Sequence, residues 1–280
     1  MEVYKFASPQ RRRFHLSINT ILIGINILVF IALAILVSIN PQFINYFSLG
    51  PSTVLHGKYL WTFLTSMFSH QYFWHLAFNM MSLFFLGVIV EKILGPRRYL
   101  LFYLGAGLFA GLAFVLLAGF LGTSLIGAKL FGDPSVTGLG ASGAIFGLVG
   151  LLAVLTPRKR VALIAGPLLA IIFESVISNF ASVSIINAVD LIVTIYVFFS
   201  IFAMFSFNPT MRKMTIPLNM PFWFIPIVAI VPLFIVGLFI PLPIANSAHL
   251  GGLIFGLIYG TYLKLKFPKK TKVISNIFSR

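Results

Sequence analysis

Residues 99–121 read YLLFYLGAGLFAGLAFVLLAGFL, a stretch without one charged side chain. As an α-helix, a run of about 20 apolar residues crosses the hydrocarbon core of a bilayer, which is about 30 Å thick. Similar runs recur along the chain. They occupy residues 17–39, 73–94, 99–121, 139–156, 161–181, 185–207, 221–240 and 247–266. The sequence therefore predicts an all-α polytopic membrane protein with about eight apolar segments.

The composition supports this fold class and excludes several others. The 280 residues are 59% hydrophobic and 9% charged, with a mean hydropathy of +1.04, whereas soluble domains are about 45–50% apolar. The net charge of +15 does not indicate nucleic acid, because the basic residues lie between apolar runs and not on one exposed element. The absence of cysteine excludes disulfides, thiolate catalysis and cysteine-bound metals. We expect no metal or cofactor, a lipid bilayer as partner, and leave the oligomeric state open.

The basic residues predict the orientation, since Lys and Arg are enriched in cytoplasmic loops. Eighteen of the 20 fall on one side, and only Lys58 and Lys129 fall on the other. Both termini are thus predicted to be cytoplasmic, with the loops 40–72 and 122–138 outside, and the plasma membrane is the expected location. The domain organisation follows: a basic tail at 1–16, a membrane domain at 17–266, and a basic tail at 267–280.

Four polar side chains fall at one depth within these spans. At a rise of about 1.5 Å per residue, Ser142 lies about 24 Å above Arg158, and His249 lies about 22 Å above Lys264. His75 and Asn79 lie at about 25 and 20 Å above Lys92 by the same rise. Polar residues inside a bilayer are costly and usually functional. We therefore expect a reaction site several ångströms below the outer surface.

The residues around these side chains fit acyl-transfer chemistry. Glycines before Ser142 let the backbone turn sharply, so that the serine starts a helix whose free N–H groups could bind an oxyanion. His75 and Asn79 are spaced i, i+4 and share a helix face. Two stripes of small residues predict close contact between the serine and histidine helices. The glycines concerned are Gly140, Gly143, Gly147, Gly252 and Gly256.

With these residues the sequence resembles the rhomboid family of intramembrane serine proteases. The matching motifs are Gly140-Ala141-Ser142-Gly143, Ala248-His249 with its glycines, and His75 with Asn79; further similarities are Trp61, His70, Glu91-Lys92 and Asn246. The resemblance implies a Ser142-His249 dyad, an oxyanion site that includes His75 and Asn79, and substrates that are transmembrane proteins. It implies cleavage of a locally unwound helix near the outer surface. Segment 221–240, which is rich in proline, with loop 241–246 would be the gate for the substrate.

Three departures from the family pattern are visible. Phe146 stands where a tyrosine often stacks on the histidine, so stacking would persist without the hydroxyl. Thr62 follows Trp61 where an arginine is frequent, which puts the anchoring of the outer loop in question. Residues 158–218 separate the serine and histidine spans, and we interpret them as a helical hairpin inserted into a six-helix core.

Alternatives remain at this stage. A catalytically inactive rhomboid-like protein could bind transmembrane helices without cleaving them, although both reacting residues are present. A small transporter or channel would place its ionisable residues near the midplane, whereas these cluster toward one surface. Glu174 or Asp190 could orient His249 as the acidic third member of a catalytic triad, although we favour a dyad.

Overall fold

The computed structural model describes residues 16–178, 180–205, 209–239 and 245–278. Nearly all of the regular structure is helical, which confirms the all-α polytopic fold. The helices are α1 Ile18–Ile39, α2 Pro51–Leu55, α3 Thr62–Thr65, α4 Phe73–Ser82, α5 Val88–Leu94, α6 Pro96–Leu121, α7 Leu125–Phe131, α8 Ser142–Leu155, α9 Gly166–Ile177, α10 Val183–Phe205, α11 Pro209–Met214, α12 Ile225–Phe239, α13 Asn246–Lys266 and α14 Pro268–Phe278. The strands are β1 Arg160–Ile164 and β2 Pro217–Pro221.

Among the described residues, five helical segments are long and apolar enough to cross a membrane. They are Ile18–Ile39, Phe73–Leu94, Pro96–Leu121, Val183–Ser200 and Phe222–Phe239. The second consists of α4 and α5 joined by a π-helical turn, Leu83–Gly87. Helix α13 is long enough to cross, but its polar residues and glycines make it less apolar. Of the five segments, Val183–Ser200 belongs to the insertion. The other four, together with the shorter apolar helix α8 and with α13, form the six-helix core.

Helix α8 lies at the centre of this core. Most of its side chains are buried, on every side of the helix, as expected for a helix surrounded by protein. Its 14 residues span about 21 Å, less than the hydrocarbon core of about 30 Å. Because the helix is shorter than the bilayer, at least one of its ends lies below a membrane surface, and Ser142 is its first residue.

Glycines allow α8 and α13 to pack backbone to backbone. A methyl group on Gly252 would overlap the carbonyl oxygen of Gly143, and one on Gly256 would overlap that of Gly147. On the other side of α8, a methyl group on Gly147 would lie 2.6 Å from Cβ of Ala106 on α6. The small residues therefore set the spacing of all three helices.

The N-terminus of α1 is held by a carboxylate from another helix. Glu91 on α5 accepts hydrogen bonds from the backbone N–H groups of Ile18 and Asn19, at 2.8 and 3.0 Å. Buried Asn19 in turn accepts a 2.6 Å hydrogen bond from the hydroxyl of Tyr99. A carboxylate at a helix N-terminus satisfies free donors and complements the helix dipole. These contacts fasten α1 to the α5–α6 corner.

The 40–72 loop packs on α6. Leu49 and Val54 form a buried cluster with α6 residues around Phe114. Trp61 donates its indole N–H to the carbonyl of Tyr46, at 3.0 Å. The buried Thr62 hydroxyl donates to the carbonyl of Tyr59, at 2.6 Å, so a short local bond holds the loop where an arginine is frequent in similar sequences.

The insertion differs in part from the expected hairpin. Helices α9 and α10 do pack together, but α9 has 12 residues, too few to cross a bilayer alone. An antiparallel ribbon that was not expected closes the base of the insertion by pairing Arg160 with Pro221 and Ile164 with Pro217. The apolar segment 161–181 is therefore not helical throughout, because its first residues form a strand.

The remaining expectations concern the gate segment and the two tails. Pro232 lies inside α12, where it removes one helical hydrogen bond. Residues 240–244, which include most of the expected gate loop, and most of the 1–16 tail lie outside the described residues. The 267–280 tail contains a helix, α14, through Phe278.

Candidate active site

The hydroxyl of Ser142 and the imidazole of His249 are hydrogen-bonded. Oγ of Ser142 lies 2.8 Å from Nε2 of His249, which is 8% exposed. The pair joins the first residue of α8 to the first turn of α13. Because the glycine contacts described above hold these helices close together, two side chains 107 residues apart meet within hydrogen-bond distance.

The turn before Ser142 requires glycine at position 140. Gly140 has φ +126°, a value that other residues rarely adopt. A methyl group there would also lie 2.7 Å from Cε1 of His75 and 3.7 Å from Nδ2 of Asn79. The backbone just before the serine therefore passes directly against the two predicted oxyanion side chains.

His75 and Asn79 project from the same face of α4, as their spacing indicates. Nδ2 of Asn79 donates to the carbonyl oxygen of His75, at 2.9 Å. A side-chain amide carries two N–H groups, so the second remains to donate elsewhere. Asn79 is buried, and its orientation is thus fixed by its own helix.

Phe146 stacks on the imidazole of His249. The two ring centroids are 4.3 Å apart, with an interplanar angle of 13°. Phe146 lies four residues after Ser142, so both side chains lie on the same face of α8 and contact His249 together. The stack restrains the imidazole plane without any hydroxyl on the phenyl ring.

Neighbouring residues anchor the start of α13. The hydroxyl of Ser247 donates to the carbonyl of Phe131 at the end of α7, at 2.7 Å. The amide of Asn246 donates to the carbonyl of Leu233 on α12, at 3.4 Å. These bonds hold the turn that carries His249 against two other helices.

Neither acidic candidate for a third group contacts His249. Glu174 belongs to the insertion and lines a cavity with Trp74 and Phe78. Among the described residues, Nδ1 of His249 has no hydrogen-bond partner. The same part of the chain contains no group of three His, Asp or Glu side chains that could hold a metal ion.

His70, which the sequence offered only as a further similarity to the family, contacts the serine loop. It is 1% exposed, and its Nε2 accepts a hydrogen bond from the N–H of Ala141, at 3.4 Å. Its ring also meets that of His75 edge to face, at 5.0 Å between centroids. Gly140 donates to the carbonyl of Ser66, at 2.8 Å. The 66–70 segment therefore holds two consecutive residues of the turn. The sequence signal for this role of His70 was its position five residues before His75.

A small cavity opens beside Ser142. It measures about 40 Å³ and is lined largely by small residues, including Gly107, Ala110, Gly111 and Ala248. The cavity is enclosed between α6, α8 and the start of α13. Its walls leave room for a small group next to the serine hydroxyl.

The profile of the Rhomboid domain family matches residues 57–196 and 168–266, which together cover more than half of the chain. The chain belongs to the rhomboid family. The two matches overlap within the insertion, in agreement with a rhomboid core interrupted between its serine and histidine helices.

Individual rhomboid relatives match over shorter regions. Rhomboid protease GluP of Bacillus subtilis is 34% identical over 109 residues, which cover 39% of this chain and 18% of the relative. Rhomboid protein 1, mitochondrial, of Saccharomyces cerevisiae is 32% identical over 102 residues, covering 36% of this chain and 27% of the relative. RHOMBOID-like protein 12, mitochondrial, of Arabidopsis thaliana is 39% identical over 129 residues, covering 44% of this chain and 38% of the relative.

The matches therefore span less than half the length of each of these relatives. The family and the apolar helices establish an integral, multi-pass rhomboid membrane protein. Two of the relatives are named mitochondrial, so the plasma membrane stays a prediction for this chain, as do its orientation and domain limits.

Proposed function

We propose that this chain is an intramembrane serine endopeptidase that cleaves transmembrane helices near the outer membrane surface, with Ser142 as nucleophile and His249 as base. The proposal rests on the 2.8 Å distance between Oγ of Ser142 and Nε2 of His249. A serine hydroxyl becomes an effective nucleophile when an adjacent imidazole accepts its proton. The protease name of GluP gives the proposal further support.

The reaction proceeds in two stages. In the first, Oγ of Ser142 attacks the peptide carbonyl while its proton moves to Nε2 of His249, which then protonates the leaving amine. In the second, water attacks the acyl-enzyme and gives its proton to the same nitrogen. The bond to Oγ of Ser142 then breaks, and His249 returns the proton to this oxygen as the acid product leaves. Phe146 keeps the imidazole plane in position through both stages, in place of the acidic residue of a catalytic triad.

The oxyanion receives donors from two helices. The backbone N–H of Ser142 lies in the first turn of α8, where N–H groups have no partner within the helix. On α4, the second N–H of the Asn79 amide and a ring nitrogen of His75 supply side-chain donors. Removing one such donor typically lowers kcat by about 100-fold to 1,000-fold.

The substrate helix must unwind locally, because a helical peptide keeps its carbonyls hydrogen-bonded. The cavity of about 40 Å³ beside Ser142 suits a small side chain at the cleaved bond. Substrates that combine small residues with a weak helix near the outer surface are therefore preferred. Access is through the side of the bundle near α12, which is weakened at Pro232.

The test is cleavage of a model transmembrane substrate in proteoliposomes by the wild type, Ser142→Ala and His249→Ala. Ser200→Ala, at a buried serine of the insertion, is the matched control. We expect each active-site variant to lose at least about a thousandfold in rate and the control to retain full rate. Equal cleavage by all four proteins would overturn the proposal. If the wild type binds the substrate helix without cleaving it, the chain is instead an inactive helix-binding rhomboid.

A further inference from the structure

The α13–α14 junction carries a dense group of cations. Five lysines lie within nine consecutive residues, and all are exposed: Lys264, Lys266, Lys269, Lys270 and Lys272. No acidic residue follows Asp190 in the sequence. The stretch of sequence that carries these lysines therefore contains no acidic side chain.

Two of these cations lie beside the same ring. Nζ of Lys266 is 5.7 Å from the centroid of Phe267, and Nζ of Lys270 is 5.8 Å from it. An aromatic face attracts a cation, so Phe267 helps to keep both lysine side chains near the end of α13. Exposed ammonium groups of one sign form a positive patch that attracts anions.

One side of α14 is docked on the core. Thr271 is buried, and the ring of Phe278 lies 4.8 Å below Nζ of Lys159, just beyond α8. The opposite side exposes Val273 at 57% and Ile277 at 65%. These two residues are spaced i, i+4 and form an apolar strip next to the lysines.

We propose that α14 lies in the membrane interface and binds the headgroups of anionic phospholipids at the membrane face where α13 ends. A helix with lysines on its polar side and an exposed apolar strip fits the boundary between headgroups and acyl chains. The phosphate groups of these lipids supply anions for the exposed lysines. The occupant is lipid because the apolar strip adjoins the cations and α13 leads directly into the bilayer.

The first test measures lipid preference in the full-length chain. Spin-labelled phosphatidylglycerol and phosphatidylcholine are compared for association with the protein in vesicles, before and after the triple change Lys269→Gln, Lys270→Gln and Lys272→Gln. Each lysine contributes about fivefold to phosphatidylglycerol preference, so the triple variant loses most of it. The control, Lys58→Gln with Lys129→Gln, removes lysines from other loops and should keep the preference of the parent. An unchanged preference in the triple variant would overturn the proposal.

The second test measures the depth of the apolar strip. Because the chain has no cysteine, Ile277→Cys and Asn276→Cys each accept a single nitroxide label. In phosphatidylglycerol vesicles, the label at 277 should lie about 5–10 Å into the interface, whereas the label at 276 should stay accessible to aqueous relaxation agents. Equal aqueous access for both labels would contradict the in-plane arrangement. Neither test depends on proteolysis, so a failure here is separable from a failure of the proposed function.

Discussion

Nε2 of His70 accepts a hydrogen bond from the backbone N–H of Ala141, the residue immediately before Ser142, at 3.4 Å. An acceptor at Nε2 requires the proton of the neutral ring to be on Nδ1. The contact thus links the protonation of a buried imidazole outside the spanning helices to the position of Ser142, the proposed nucleophile.

Replacing His70 tests this link. We expect His70→Ala to leave the buried N–H of Ala141 without an acceptor, which costs about 1–3 kcal/mol in the free energy of unfolding. We also expect kcat on a transmembrane substrate to fall about tenfold, because the change displaces Ser142. KM should change little, because the contacts that bind the substrate stay the same. His70→Gln, which restores an acceptor, should recover part of kcat. A His70→Ala enzyme with unchanged kcat would argue against the role.

The stability of the protein should also depend on pH through His70. Burial, and then the charge of nearby His75, lowers the pKa of His70 from 6.5 to about 3, although the carbonyl of Phe68 opposes the shift. The unfolded chain binds this proton at higher pH than the folded one, so stability is full above pH 6.5 and falls between pH 6.5 and 3. The slope is at most about 1.4 kcal/mol per pH unit.

The measurement is the free energy of unfolding of the wild type and of His70→Gln, compared at pH 7.5, 5.5 and 4.5. Glutamine does not titrate, so the difference between the two proteins should shift in favour of the variant as the pH falls. A constant difference would mean that His70 does not titrate between these pH values.

The contact between α8 and α13 should not accept a methyl group. Gly252→Ala places Cβ against the carbonyl oxygen of Gly143, so the helices must separate, at a cost of about 1–3 kcal/mol. Since His249 lies one turn away, we expect cleavage to be nearly abolished. Gly24→Ala is the matched control, because a methyl group there meets nothing within 4 Å. Thermal unfolding and substrate cleavage should both distinguish the two variants.

The stack of Phe146 on His249 should be measurable in activity. An aromatic stack contributes about 0.5–1.5 kcal/mol beyond its buried area, so Phe146→Ala should lower kcat by about threefold to tenfold. Phe146→Tyr keeps the ring and should retain at least the wild-type rate. If the alanine and tyrosine variants are equally active, the ring does not orient the imidazole.

The insertion should influence the active site through α4. The rings of Trp74 and Phe198 lie 4.0 Å apart at an angle of 89°, and Trp74 directly precedes His75. We expect Phe198→Ala to lower the cleavage rate a fewfold by loosening the first turn of α4. Phe202→Ala, one helical turn along α10 at a side chain that is 65% exposed, should have no effect. Equal rates for both variants would show that the contact with the insertion is not transmitted to the site.

The sequence predicted the six core helices well because their apolar length is a local property. The run at 247–266, for example, corresponds to α13 Asn246–Lys266. Helical rise also predicted that Ser142, His249, His75 and Asn79 lie at one depth, and the structure brings them close together. Their catalytic roles stay predictions.

Features that depend on distant partners were not predicted. The groups that donate hydrogen bonds to His70 and to Glu91 are backbone N–H groups about 70 residues away in sequence, and side-chain patterns contain no information about them. Nothing in the sequence indicated that Glu91 binds the start of α1. The β1–β2 ribbon was missed because its strands are short and far apart in the chain.

The distance in sequence between Ser142 and His249 has a consequence for biosynthesis. A nascent chain that has inserted only α1 through α10 contains Ser142 but still lacks His249, the proposed base, which lies on α13. The pair can form only when α13 has entered the bundle and its glycines have met those of α8. On the proposed mechanism, the protein is therefore inert throughout its own insertion, and it acquires the capacity to cut neighbouring membrane proteins only as its last core helix docks.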